Sequence, residues 1–159
     1  MTEIVFYHLR GQSIEAVLPP LLEKSLERGW RVIVQAGSEE RVEALDAWLW
    51  TFREESFLPH GIWRDAEPSR QPILLTVNEE NPNGALVRFL LDGAPMPSDA
   101  RAYERIVLLF DGADPDAVQN ARARWADAKQ NGFDVTYWKT DERGRWQKGW
   151  IKASGRAPE

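Results

Sequence analysis

Residues 29–50, GWRVIVQAGSEERVEALDAWLW, decide the fold class. Gly29 is a helix stop, and residues 30–35 form a nearly continuous apolar run, the pattern of a strand buried on both faces of a parallel sheet. Ser38 is an N-cap candidate, and behind it Val42, Leu45, Trp48, Leu49 and Phe52 fall on one stripe at helical spacing. A buried strand feeding straight into an amphipathic helix is the building unit of an α/β domain. Trp50 lies off the stripe, about 140° round the helix from Leu45 at about 100° per residue, on the side that should meet solvent. Phe57, Leu58 and Pro59 follow in a segment without periodicity. Two readings stand: a surface to be covered by another protein, or a chain that folds back so that Trp50 packs under Phe57.

Outward from this unit the same alternation continues. Residues 3–9 read as a strand, and Ile14, Val17, Leu18, Leu21, Leu22 and Leu26 as a helix behind the N-cap Ser13. Pro19 and Pro20 are expected to kink that helix or delay its start. After Pro59 comes a long irregular region, then short strands at 73–77 and 85–91, predicted to add an antiparallel pair across the turn-rich NEENPNG. Pro95 and Pro97 mark another loop. Residues 106–110 read as a buried strand, DGADPD opens a helix with Asp114 as N-cap and Pro115 at its first position, that helix ends near Gly132, and 135–138 is the last core strand. This order predicts a three-layer, Rossmann-like α/β domain over residues 1–139, with a mostly parallel sheet flanked by helices. Residues 140–159 form a C-terminal extension, read as a hairpin within KTDERGRWQKGW followed by a disordered KASGRAPE.

Composition narrows the function. The 159 residues are 43% hydrophobic and 28% charged, as in a soluble globular protein of one domain. The lack of cysteine removes disulfides and thiolate metal sites, and two histidines far apart weigh against zinc. With no apolar run of membrane length and no signal-peptide pattern at the start, the chain is expected to be cytoplasmic, without a membrane role. A net charge of −5 argues against DNA binding by the whole domain, although residues 139–159 carry six Lys or Arg against three acids.

The loops at the carboxyl ends of the strands are where this fold class holds ligands. HLRGQS lacks a dinucleotide fingerprint and a P-loop lysine, and QAGSEE places Glu39 and Glu40 at the helix end that a phosphate needs. DGADPD offers Asp111, Asp114 and Asp116, so a small metal-dependent α/β enzyme acting on nucleotides is the rival reading, although helix capping already accounts for Asp114. Ser13 with His8, and Ser56 with His60, lack the setting of a nucleophile. No catalytic residue, cofactor or metal is expected. A further alternative is direct single-strand binding by Arg143, Arg145, Trp146, Lys148 and Trp150, with a hairpin packed on the domain as the simpler account.

On the helix behind Pro115, Val118, Ala121, Trp125 and Ala128 form the sheet-facing stripe, with Arg122 and Lys129 at its edge beside Trp125. Trp125 reads either as a core residue with cations at its rim, or as part of a site for an acidic peptide ending in an aromatic residue. The helix ending in Leu49 and Trp50, the segment SFLPH, the opening EIVFYHL, the strand entry GWRVIVQAG and the run ARARWADAKQNGFDVTYWK together resemble the chi subunit of bacterial DNA polymerase III, over roughly residues 3–139. The resemblance implies a non-catalytic accessory subunit that links the clamp loader to the acidic, phenylalanine-ended C-terminal tail of single-stranded DNA-binding protein, with DNA contacted mostly indirectly. Arg122 and Trp125 match the arginine and aromatic positions of that peptide site, and Lys129 matches in charge. Trp50, Phe57, Leu58 and Pro59 match the face that docks psi or another clamp-loader subunit.

Overall fold

A computed structural model of the chain describes residues 2–51, 58–64, 67–140 and 145–148. It contains one eight-stranded sheet, order β3-β4-β2-β5-β6-β1-β7-β8. The strands are β1 (Glu3–Leu9), β2 (Val32–Gln35), β3 (His60–Ile62), β4 (Ile73–Thr76), β5 (Val87–Leu90), β6 (Arg105–Asp111), β7 (Asp134–Thr140) and β8 (Trp146–Lys148). The helices are α1 (Ile14–Glu27), α2 (Glu39–Thr51) and α3 (Pro115–Gln130). Every pairing from β3 to β7 is parallel, and β8 alone runs antiparallel, on β7. The three-layer expectation therefore holds.

One face of the sheet carries α1 and α2. Val17, Leu18 and Leu22 of α1 and Val42, Leu45 and Leu49 of α2 are buried with Val5, Val34, Leu75, Phe89 and Val107 beneath them. The other face carries α3, whose Ala121, Trp125 and Ala128 pack with Ile4, Phe6, Ile106, Leu108 and Tyr137. Alternate residues of β1 serve the two layers, as the period of two along a strand requires.

Two expectations are corrected. The strands β4 and β5 are not an antiparallel pair: each pairs with β2, which lies between them, and both pairings are parallel. Both are buried along their whole length, which suits the centre of a parallel sheet and not a hairpin with a wet face. The long irregular region also contains a strand, β3, too short for periodicity to reveal. Of the two effects expected of Pro19 and Pro20, a delayed start does not occur: α1 begins directly at Ile14, with the Ser13 side chain accepting from Ala16 N, and runs through both prolines.

The position of Trp48 explains how α1 tolerates Pro19. A proline at that position has no N–H for the carbonyl of Glu15, four residues back, and an interior proline costs about 3 kcal/mol. The Trp48 indole Nε1–H of α2 donates to that same Glu15 carbonyl, at 2.7 Å. This contact holds Trp48 at the surface, 37% exposed, so it does not join the core stripe that its spacing predicted. Beside it, Arg41 of α2 pairs with Glu15 at 2.7 Å and with Asp92 at 3.3 Å, tying both helices to the end of β5.

The face that carries α3 has no helix over β2, β4 and β5 among the described residues, and the link 77–86 fills the gap. Arg88, fully buried on β5, is the pin. Its guanidinium donates to Gln35 Oε1 at 2.7 and 3.0 Å, to the Asn78 and Glu80 carbonyls at 2.5 and 3.3 Å, and to the Tyr103 hydroxyl at 2.9 Å. Asn83, also buried, donates to the Val32 and Gln71 carbonyls.

Candidate functional site

The chain leaves β1 through α1 toward β2, and leaves β6 through α3 toward β7, on the opposite side of β1. The winding reverses at the β1–β6 pair, and in doubly wound sheets the crevice at such a reversal is where a ligand sits. Here it is filled. Gly112 N donates to the Leu9 carbonyl at 2.8 Å, and a Cβ at Gly112 would lie 2.1 Å from His8 Nε2. The acidic residues of the same loop are occupied locally: Asp111 Oδ1 accepts from Ala113 N, and Asp114 Oδ1 accepts from Asp116 N and Ala117 N as the cap of α3. Among the described residues no group of three His, Cys, Asp or Glu side chains is placed to hold a metal ion, so Asp111, Asp114 and Asp116 do not converge.

His8 is buried, and its Nδ1 lies 2.7 Å from the Tyr137 hydroxyl. Desolvation, followed by the positive charges of Lys139, Arg10 and Arg122, lowers the His8 pKa to about 4. Burial raises that of Tyr137 despite the nearby Arg122 charge. The histidine is therefore neutral at pH 7, and the phenol keeps its proton to donate to the imidazole. Arg10 after β1, Lys139 opposite His8 on β7 and Arg122 on α3 all act on this one histidine, outweighing the opposing charge of Asp111. The sequence had singled out Arg122 alone of the three. Arg10 and Lys139 come to it only through the parallel β1–β7 pairing, in which His8 is opposite Lys139.

Trp125 is 1% exposed, and its indole Nε1 has no hydrogen-bond partner among the described residues. It lies in the layer under α3, so no ligand ring can stack on its face without displacing the helix. Lys129 Nζ lies 5.7 Å from its ring centroid. Arg122 and Lys129 are both exposed. Seven residues apart, they stand about 10 Å apart along the helix axis, a spacing that suits several charges of an extended chain better than one carboxylate.

At the other end of the molecule Trp50 is 52% exposed, with its ring 4.6 Å from that of His60. The buried His60 has its Nδ1 2.6 Å from the Leu58 carbonyl and its Nε2 3.1 Å from Asp46. Leu58, which the resemblance places on the docking face, is a core residue, and Pro59 is half-buried. Leu58 can therefore shape this face only from beneath. Phe57, Phe52 and Ser56 lie outside the described residues, as do Arg143 and Trp150.

A family model described as DNA polymerase III chi subunit, HolC, matches residues 1–136. A protein of Rickettsia prowazekii (strain Madrid E) named probable DNA polymerase III subunit chi is 26% identical over 121 residues, covering 70% of this chain and 71% of that protein. The DNA polymerase III subunit chi of Pseudomonas aeruginosa strain PAO1 is 29% identical over 142 residues, covering 85% of this chain and 94% of the relative.

Proposed function

Because the chain belongs to the DNA polymerase III chi subunit family, we propose that it is a non-catalytic adaptor of the replicative polymerase, with a peptide-binding rim at one end and a partner-docking face at the other. The rim would take the acidic, phenylalanine-ended C-terminal tail of single-stranded DNA-binding protein. The face around Trp50 would dock psi or another clamp-loader subunit. The observation that carries the reading is the convergence of Arg10, Arg122 and Lys139 on one buried histidine at the carboxyl ends of β1 and β7. A guanidinium there can take a terminal carboxylate as a fork, while the flanking cations and Lys129 meet the preceding aspartates.

A peptide of several aspartates ending in phenylalanine should bind with micromolar affinity, about −8 kcal/mol at 1 μM. The contribution of Lys129 and Lys139 should weaken as salt rises, because the Debye length falls from about 10 Å at 0.1 M to about 3 Å at 1 M. Amidating the peptide terminus and changing Arg122→Ala should each cost roughly 1.5–3 kcal/mol, the scale of a charged hydrogen bond. Together they should cost little more than either alone, since both delete one contact. Calorimetric titrations of the four combinations check this, and additive losses would place Arg122 outside the carboxylate clamp. Trp125 is unsuitable for the test because truncating a buried tryptophan damages the fold itself.

For the opposite face, Trp50→Ala should weaken capture of the clamp-loader partner by about 2 kcal/mol. Its ring lies against His60 but is about half exposed, so the cost to thermal stability should stay within about 1 kcal/mol. Binding assays paired with melting curves decide the matter: a large fall in melting temperature with binding intact would make Trp50 a structural residue.

A further inference from the structure

A second cleft lies on the α1 face, away from both surfaces above. It is about 290 Å³, close to the lower limit of ordinary ligand clefts, about 300 Å³. Its floor is the β1–β7 pair, where Tyr7 and Trp138 stand side by side in register, and Thr136 lies two residues along. Its wall is α1, with Lys24, Ser25 and Arg28. Trp30 closes one end between two guanidiniums, Arg28 at 5.0 Å and Arg105 at 5.5 Å from its ring centroid. At the other end Trp146 of β8 meets the Tyr7 ring edge-on, with centroids 5.1 Å apart.

The charges in the cleft do not balance. Lys24, Arg28 and Arg105 face a single carboxylate, Glu3, which already accepts from Arg105 at 3.1 Å and from the Thr136 hydroxyl at 2.7 Å. Neither Lys24 nor Arg28 has a carboxylate partner among the described residues. In a chain of net charge −5, two uncompensated cations beside open aromatic rings are a local feature that calls for an anion carrying a flat ring. At the Tyr7–Trp138 end of the floor a peptide strand has no free ladder, because β1 is paired on both sides and Trp138–Thr140 of β7 pair with β8. A nucleotide needs none: it carries its charge and its stacking ring in one unit, at the separation of a cationic wall from an aromatic floor.

We propose that this cleft binds single-stranded nucleic acid, seating one nucleotide with its base against Tyr7 and Trp138 and its phosphate at Lys24 and Arg28. Neighbouring nucleotides continue toward Trp146. The site is independent of Arg122 and would let an adaptor touch the strand itself as well as the protein that coats it.

The test uses the full chain and a fluorescein-labelled oligothymidylate of about ten nucleotides, within the usual site size for stacking platforms, followed by anisotropy across a salt series. Binding at about 50 mM salt is expected, weakening on a log–log plot with a slope of about −0.7 per phosphate neutralised. Lys24→Gln and Arg28→Gln, both exposed and peripheral to the core, should each reduce affinity about 3–10-fold and flatten the slope by about 0.7, with unchanged melting curves. Arg122→Ala should leave oligonucleotide binding intact. Photocrosslinking with bromodeoxyuridine in the oligonucleotide should label peptides that contain Tyr7, Trp30 or Trp138. The proposal is overturned by absence of binding at low salt, by wild-type affinity in the Lys24/Arg28 double variant, by crosslinks confined to residues 143–150, or by an acidic peptide that binds this cleft and excludes the oligonucleotide.

Discussion

Replacing Arg88 with alanine should destabilise the protein by about 3–5 kcal/mol, the largest loss expected from any single truncation on the face that carries α3. Arg88 is a fully buried cation whose hydrogen-bond acceptors are all neutral: one amide oxygen, two backbone carbonyls and a phenol. Burying a guanidinium costs several kcal/mol, and no carboxylate offsets it here, so the set of donated hydrogen bonds has to. Alanine leaves Gln35 Oε1 and the Asn78 carbonyl without their donor, at about 1–3 kcal/mol for each orphaned acceptor, and opens a cavity under the link 77–86. Methionine fills most of the cavity but restores no donor, so Arg88→Met should recover only the packing share. Lysine offers a point charge where Gln35 receives a fork, and should fall between the two. Denaturant melts of the three variants give the ranking, and hydrogen exchange should show amides of 78–86 losing protection first. If Arg88→Ala melts within about 1 kcal/mol of the parent, the link is held by something other than this pin.

Arg88 also marks the limit of what periodicity reveals. Hydrophobic runs located β1, β2 and β6, because each is a buried strand, and stripes behind the caps Ser13, Ser38 and Asp114 located α1, α2 and α3, because the local chemistry of a cap is self-contained. The parallel pairing of β4 and β5 was not legible: whether two short buried strands pair with each other or straddle a third depends on contacts like Arg88 to Gln35, far apart in sequence. The same holds for Trp48, drawn out of its stripe by a carbonyl that Pro19 leaves open 33 residues earlier. At the candidate site, helical spacing set Arg122 beside Trp125 at the edge of the sheet-facing stripe, but left open whether Trp125 was a core residue or part of a site. The places of Arg10 and Lys139 were not legible, because only the β1–β7 register sets them there.

Gly112→Ala should cost about 3 kcal/mol or more, a larger penalty than an added methyl usually carries, because nothing around it can move away. The new Cβ would lie 2.1 Å from His8 Nε2, 2.4 Å from His8 Cδ2 and 2.7 Å from the Leu9 carbonyl oxygen. The imidazole is held by the Tyr137 hydroxyl at 2.7 Å and boxed by the Phe110 ring, 5.0 Å away between centroids. The carbonyl belongs to β1, which is paired on both sides, and it accepts from Gly112 N itself. Relief therefore requires separating the ends of β1 and β6. Removing the ring with His8→Ala should rescue Gly112→Ala only in part: two of the three close contacts disappear, but the one to the Leu9 carbonyl stays. The double variant should accordingly be more stable than the sum of the single losses predicts, while remaining below His8→Ala alone. Urea denaturation of the set provides the measurement, and a Gly112→Ala protein within about 1 kcal/mol of the parent would contradict the sealed seam. The reversal between β1 and β6 is the place where a doubly wound sheet ordinarily opens for a ligand, and in this chain a residue without a side chain lets two loops close over it. The surfaces proposed for binding all lie outside this seam: the cations on the α3 side, Trp50 at the far end, and the aromatic cleft under α1.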